Sequence, residues 1–178
     1  MRKVVAYVLL SLDGVAEKPE GFFVDWHDTL DANLAAVIST QDAVIVGRRS
    51  YDEWAAYWPT SDIEPFATFI NGTMKYVATS TPLDREWSNT TVVEGNLLAF
   101  VRQLKDTTGE DIGVHASISV TRALLEGGVL DELRLVIAPV IAGGGRQLLA
   151  GLPVTHLEAI RSVTTPTGHL LADYRVIA

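Results

Sequence analysis

Cysteine is absent from this 178-residue chain, which removes disulfides, thiol nucleophiles and thiolate metal sites together. Histidine is scarce: His27, His115, His156 and His169 are scattered and show no metal-ligand spacing. No apolar run is long enough to cross a bilayer, and Val4 to Leu10 has the length of a strand. Arg2-Lys3 before that run admit a signal-peptide reading, but Asp13 follows at once and no cleavage site is evident, so a cytoplasmic protein is expected. Asn71-Gly72-Thr73 and Asn89-Thr90-Thr91 fit the glycosylation pattern, which carries no weight without secretion. Positive charge is in deficit, and a net charge of −8 argues against nucleic acid or an anionic membrane as partner. One phosphate-bearing ligand in a local basic pocket remains compatible with that balance. Repeats, low-complexity tracts and dividing linkers are also missing, so residues 1–178 read as one domain.

What is present is apolar residue in quantity, 48% of the chain, enough to build a core without staples. Strand-like runs alternate with helix-like ones. Strands are expected at Val4–Leu10, Ala43–Val46, Tyr76–Ala78, Thr91–Val93, Ile112–His115 and Leu133–Val140. Helices are expected over Asp31–Ile38, from Ser50 onward, over Leu97–Leu104, and from Ser117 to the stop signal Gly127-Gly128. The segment containing Pro59 and Pro65 reads as a loop. The last two runs flank Pro166-Thr167-Gly168 and look like an antiparallel hairpin. Helices between strands imply right-handed crossovers, hence an α/β fold with a mostly parallel sheet and an antiparallel C-terminal edge.

The most informative segment is Ala43-Val44-Ile45-Val46-Gly47-Arg48-Arg49-Ser50-Tyr51. A buried strand ends in a glycine that permits a sharp turn, and Ser50 is placed to cap the next helix. Two guanidiniums at a helix N-terminus suit a phosphate, whose oxygens match planar Arg donors in pairs. Open α/β sheets bind ligands at the carboxyl ends of their strands. Two further strand ends carry suitable groups: Thr79-Ser80, with two hydroxyls, and Ala116-Ser117-Ile118-Ser119, with free amides aimed at a pyrophosphate. Each has a plainer reading as surface charge, turn or helix cap; their joint appearance at three strand ends makes the case for a phosphorylated cofactor.

The chain resembles the dihydrofolate reductase superfamily, and most closely the branch of the C-terminal reductase domain of bacterial riboflavin biosynthesis. The resemblance is carried by Ser11-Leu12-Asp13-Gly14, by Gly47-Arg48-Arg49-Ser50-Tyr51, and by Leu124 to Leu133 followed by Pro139 to Gly145. It implies a dihydrofolate reductase-like fold and NADPH as hydride donor. It further implies that Arg48, Arg49 and Ser50, with Thr79 and Ser80 beside them, hold the adenosine 2′-phosphate. By the same resemblance, Gly47 opens that site, and Ala116, Ser117, Ile118 and Ser119 form the pyrophosphate turn. Asp13, Gly14, Val15 and Ala16 belong to the mobile loop over the nicotinamide, and a homodimer is expected. One departure is plain: Ala116-Ser117-Ile118 stands where the family usually has Gly-Ser or Gly-Gly, and alanine restricts positive φ.

On the substrate side, Asp31 falls where the folate enzymes keep the carboxylate that grips the pterin and helps protonate it. Two readings of Asp31 stand, a catalytic acid or a helix-terminal charge opposing the dipole beside Asp28. No arginine lies between Asp31 and Arg48, so the folate clamp is missing. Phe22, Phe23, Trp26, Trp54, Tyr57 and Trp58 could wall a flat-ring pocket or simply belong to the core. The expected partner is a small heterocyclic substrate, pterin- or pyrimidine-like. The ribosylaminopyrimidine of riboflavin synthesis is an alternative, and so is a nucleotide-binding module without turnover.

Overall fold

The computed structural model describes residues 1–177. One eight-stranded sheet runs in the order β4-β3-β2-β5-β1-β6-β8-β7. Its strands are β1 (Val4–Ser11), β2 (Gln41–Gly47), β3 (Met74–Ala78), β4 (Thr90–Val92), β5 (Asp111–His115), β6 (Glu132–Ala138), β7 (Leu157–Thr164) and β8 (Leu170–Val176). Every pairing from β4 through β6 is parallel, whereas β8 runs antiparallel to both β6 and β7. The antiparallel edge expected from the terminal hairpin is therefore present.

Period-two alternation divides the core. Val4, Ala6, Val8 and Leu10 of β1 face one side with Ile45, Ile112 and Val114. Tyr7 faces the other with Val44 and Val46. Both faces are covered, so the central strands read as unbroken apolar runs. The first side is packed by α4 (Leu97–Lys105) and α5 (Ile118–Glu126), and the second by α1 (Asp28–Ile38), α2 (Arg48–Tyr57) and α3 (Phe66–Gly72).

Helix α1 begins three residues before the expected start because His27 caps it, its Nδ1 accepting from Thr29 N at 3.3 Å. Asp28 and Asp31 oppose the dipole in its first turn. Leu30, Leu34, Val37 and Ile38 then repeat at helical spacing against the sheet. Helix α2 begins at Arg48 with Gly47 at the cap position, not at Ser50 as the sequence suggested. Arg48 pairs with Asp52 one turn on, and that i,i+4 contact draws the helix back toward the strand. Helix α3 occupies part of the segment expected to be loop, and buries Phe66, Ala67 and Ile70.

Candidate active site

A cavity of about 860 Å³ opens at the carboxyl ends of the central parallel strands. It is lined from both sides of the sheet and so has two halves with different chemistry.

The first half lies where adjacent β2 and β5 end. Helices α2 and α5 both start there, and neither has a side-chain cap. The first amides of each helix precede its i→i−4 ladder; in α5 that ladder opens with Thr121 N to Ser117 O at 2.9 Å. Ser117, expected as a cap, instead accepts from Gly47 N at 3.0 Å and ties the two turns together. A Cβ on Gly47 would stand 3.3 Å from Val120 Cγ2, so the glycine lets the α5 terminus approach closely. Ala116 takes φ 54°, the left-handed conformation that glycine adopts freely. The turn thus keeps its shape despite the alanine.

The charged groups here are ordered by one another. Arg48 Nε donates to both carboxylate oxygens of Asp52, at 2.9 and 2.8 Å. Its Nη1 reaches Thr81 Oγ1 at 2.6 Å and its Nη2 reaches Asp84 at 2.5 Å, and the two carboxylates, Asp52 foremost and then Asp84, push its pKa upward. Arg49 is more exposed and contacts Glu17 at 3.3 Å and Glu53 at 3.4 Å. Arg146, which the sequence reading missed, donates to Ser119 Oγ at 2.9 Å. Glu17, also missed, accepts from Arg146 N at 3.2 Å. Contacts 129 residues apart leave no local signal in a sequence.

The second half lies on the α1–α3 side. Asp31 is half-buried, and its Oδ1 accepts from Trp26 Nε1 at 2.6 Å. Phe23, Trp54, Trp58 and Phe66 also line the cavity, so these aromatic residues serve core and wall together. His115 is 3% exposed and hydrogen-bonded to Gln41 Oε1 at 2.8 Å; burial pulls its pKa down to about 3, so the ring is neutral. Gly113 makes room for that pair, since a Cβ there would lie 2.2 Å from Gln41 Oε1.

Among the fifteen residues expected at the site, Ala16, Asp31, Gly47, Arg48, Arg49, Ser50, Ala116, Ser117, Ile118 and Ser119 line the cavity. Asp13, Gly14, Val15, Thr79 and Ser80 do not. Asp13 is used elsewhere: its carboxylate accepts from Ser11 Oγ, Ala142 N and Gly143 N, and those bonds hold its pKa down at about 2. With Val15 bridged to Gln147, the segment after β1 is pinned to the glycine-rich segment after β6. Thr79 Oγ1 accepts from Thr81 N and so buttresses a residue that Arg48 grips.

The chain matches the RibD C-terminal domain over residues 2–171. It belongs to that family. Its relative YyaP of Bacillus subtilis (strain 168), an uncharacterized protein, is 29% identical over 154 residues, covering 83% of this chain and 80% of YyaP. Solved structures similar in fold include two enzymes. One is a diaminohydroxyphosphoribosylaminopyrimidine deaminase/5-amino-6-(5-phosphoribosylamino)uracil reductase from Thermotoga maritima, with TM-score 0.72 and 14% identity, covering 99% of this chain and 57% of that one. The other is dihydrofolate reductase from Enterococcus faecalis complexed with NADP(H) and RAB-propyl, with TM-score 0.63 and 15% identity, covering 99% and 97%. The fold of this RibD C-terminal domain protein is dihydrofolate reductase-like. Among its described residues, no helix is long and apolar enough to cross a membrane.

The residues present fit a phosphorylated dinucleotide. Two uncapped helix N-termini, a glycine at the closest approach and a left-handed turn at Ala116 form an anion cradle, and guanidiniums border it.

Proposed function

We propose that this RibD C-terminal domain protein is an NADPH-dependent reductase acting on a planar nitrogen heterocycle. The reading rests on one juxtaposition: a cradle of helix amides and arginines shares a single cavity with an aromatic chamber that carries a carboxylate. Bound NADPH supplies the hydride.

The chain's own residues do the rest. The first amides of α2 and α5 receive the pyrophosphate. Arg49, held only by long contacts to Glu17 and Glu53, is free to swing onto the 2′-phosphate. Arg48 anchors the chain around Thr81 and Asp84, giving that phosphate a fixed border. Trp54, Trp58 and Phe66 enclose the heterocycle in a corner and exclude water, so the reacting carbon is held by position. Asp31, after taking up a proton from solvent, passes it to a ring nitrogen as the neighbouring carbon receives the hydride, and is left as the carboxylate.

Two classes of experiment separate this reading from its rivals. The reductase requires saturable NADPH binding by the folded protein, and its absence with the fold intact supports a ligand-binding module without turnover. Loss of NADPH absorbance across pterin and pyrimidine acceptors, the ribosylaminopyrimidine of riboflavin synthesis included, then sorts the substrates. An oxidation rate that stays at background with every heterocycle would remove the enzymatic reading.

A homodimer is part of the same proposal. All eight residues of β7 are exposed, and its outer edge is unpaired. Leu157, Ile160 and Val163 are among them. A second copy of the chain would cover this apolar edge, which otherwise invites uncontrolled strand pairing. Light scattering that returns a monomer mass at micromolar concentration would count against it.

A further inference from the structure

The two halves of the cavity differ in how their charges are balanced. At the α2–α5 end each arginine of α2 faces carboxylates: Arg48 has Asp52 and Asp84, and Arg49 has Glu17 and Glu53. At the α1–α3 end the carboxylates lack such cationic partners. Asp31 and Glu64 both line the cavity, and neither forms an ion pair among the described residues. Asp31 Oδ1 accepts from Trp26, and Glu64 accepts from Thr68 N and Oγ1 at 3.3 and 2.7 Å. These bonds orient the two carboxylates without neutralising them.

The rings between them add to the same sign. Trp54, Trp58 and Phe66 meet with centroids 4.9–6.1 Å apart and planes inclined by 66–81°. Rings set nearly at right angles enclose a corner instead of stacking on one another, and they offer π faces to whatever enters it. A ring face is the negative pole of the aromatic quadrupole and attracts cations. Trp54 lies about 9 Å further along the α2 axis than Arg48 by helix rise, and Trp58 follows the last residue of that helix. His115 supplies no compensating charge because it is neutral. Lys18, exposed at the rim, is flanked in sequence by Glu17 and Glu20, which also line the cavity.

We infer that the α1–α3 chamber selects a flat heteroaromatic ring of zero or positive charge and excludes one that carries a phosphate or carboxylate. This sets the chain apart from a reductase whose substrate is phosphoribosylated, as the name of the Thermotoga maritima protein states of that enzyme. The inference rests on the reductase reading for the statement that this ring is the substrate. The charge preference itself is a property of the empty chamber and is measured without cofactor.

The experiment is isothermal titration of the intact protein, free of nucleotide, with bicyclic nitrogen heterocycles of one shape. Quinoline, 1-methylquinolinium and a quinoline carboxylate provide neutral, cationic and anionic members. A pyrimidine nucleoside and its 5′-phosphate provide a second pair, and all five are titrated with inorganic pyrophosphate present so that the α2–α5 cradle does not capture the anions. The cation should bind about tenfold more tightly than the anion, as cation–π and carboxylate contacts combine. The nucleoside 5′-phosphate should bind more weakly than its parent. Asp31→Asn combined with Glu64→Gln should erase most of the cation preference while circular dichroism stays unchanged, and Lys18→Ala should leave the ordering intact. Equal or tighter binding of the anion, no measurable binding of the cation, or an ordering that survives the double substitution would each overturn the proposal. A separate NADPH titration keeps the two readings apart. Failure there with the charge ordering intact sinks the reductase, and the converse sinks only the chamber's selectivity.

Discussion

Trp26 and Asp31 form a hydrogen bond of 2.6 Å from indole Nε1 to carboxylate Oδ1, joining the segment before α1 to its first turn. The bond occupies Oδ1, so in the proposed function Oδ2 is the oxygen that meets the heterocycle. Trp26→Phe keeps the ring and removes the donor. The expected outcome is a rise in KM for the heterocycle of about tenfold, one charge-assisted hydrogen bond's worth of positioning, with NADPH affinity unchanged. Asp31→Asn should instead lower kcat by about 10²-fold or more, as loss of a proton donor does. Steady-state kinetics on the heterocycle identified by NADPH oxidation separates the two. Identical losses in both variants would reduce Asp31 to a helix-terminal charge.

The two arginines should divide their labour. Arg49 has two long contacts and an exposed side chain, whereas Arg48 holds Asp52, Thr81, Pro82 and Asp84 together. Arg49→Ala is expected to weaken NADPH about tenfold and NADH hardly at all, since in the proposed function the guanidinium serves only the extra phosphate. Its melting temperature should match that of the parent. Arg48→Ala should weaken NADPH and lower the melting temperature as well, because the segment around Asp84 loses its anchor. Binding titrations with both nucleotides and thermal melts check this. Equal losses for NADPH and NADH in Arg49→Ala would contradict the 2′-phosphate role.

What the sequence revealed follows the range of the forces involved. Strands β1, β2 and β5 were legible because both faces are buried and the apolar run is unbroken. The cradle at Gly47 and Ala116 was legible because turn chemistry is local. Helix α3 was not, since it has only seven residues, follows Pro65 and contains Asn71 and Gly72, both weak helix formers. Tertiary packing of Phe66 and Ile70 sustains it. Lys75 shows the same limit: a lysine in a strand reads as exposed, yet it is fully buried. Its Nζ donates to Ile70 O and Thr73 O and lies 4.4 Å from the Trp87 ring centroid. The hydroxyls of Ser50 and Ser117 were read as caps from residue type alone. The partner that claims Ser117, the amide of Gly47, is 70 residues away.

Ala116 offers a test of the turn itself. A left-handed alanine costs roughly 1–2 kcal/mol, and glycine's extra freedom in the unfolded chain returns about half of that. Ala116→Gly should therefore stabilise the protein by about 0.5–1 kcal/mol, a rise in melting temperature of about 2–4 °C at most for a chain of this size. No backbone movement is needed, so NADPH affinity should be kept or improved. A melt showing destabilisation would mean that the turn does not hold φ near 54° in solution.

His115 makes stability depend on acid. Its folded pKa is drawn down to about 3 by burial, against 6.5 for the free side chain. Between those values the unfolded chain binds a proton that the native state refuses, so stability rises with pH and is lost as pH falls below about 6.5. The slope is about 1.4 kcal/mol per pH unit, or about 2–3 kcal/mol between pH 6.5 and 4.5, before the carboxylates begin to titrate. His169 adds in the same direction, because burial foremost, with His27 nearby, lowers its pKa too. The comparison is thus between the parent and His115→Phe, which removes one titrating group and leaves the other. Urea unfolding at half-unit steps should show the parent's curve falling away from the variant's on acidification. Parallel curves would mean that His115 takes up a proton as readily in the folded protein as in the unfolded chain, and the chamber would then gain a cation below about pH 6.5 that the geometry does not provide for.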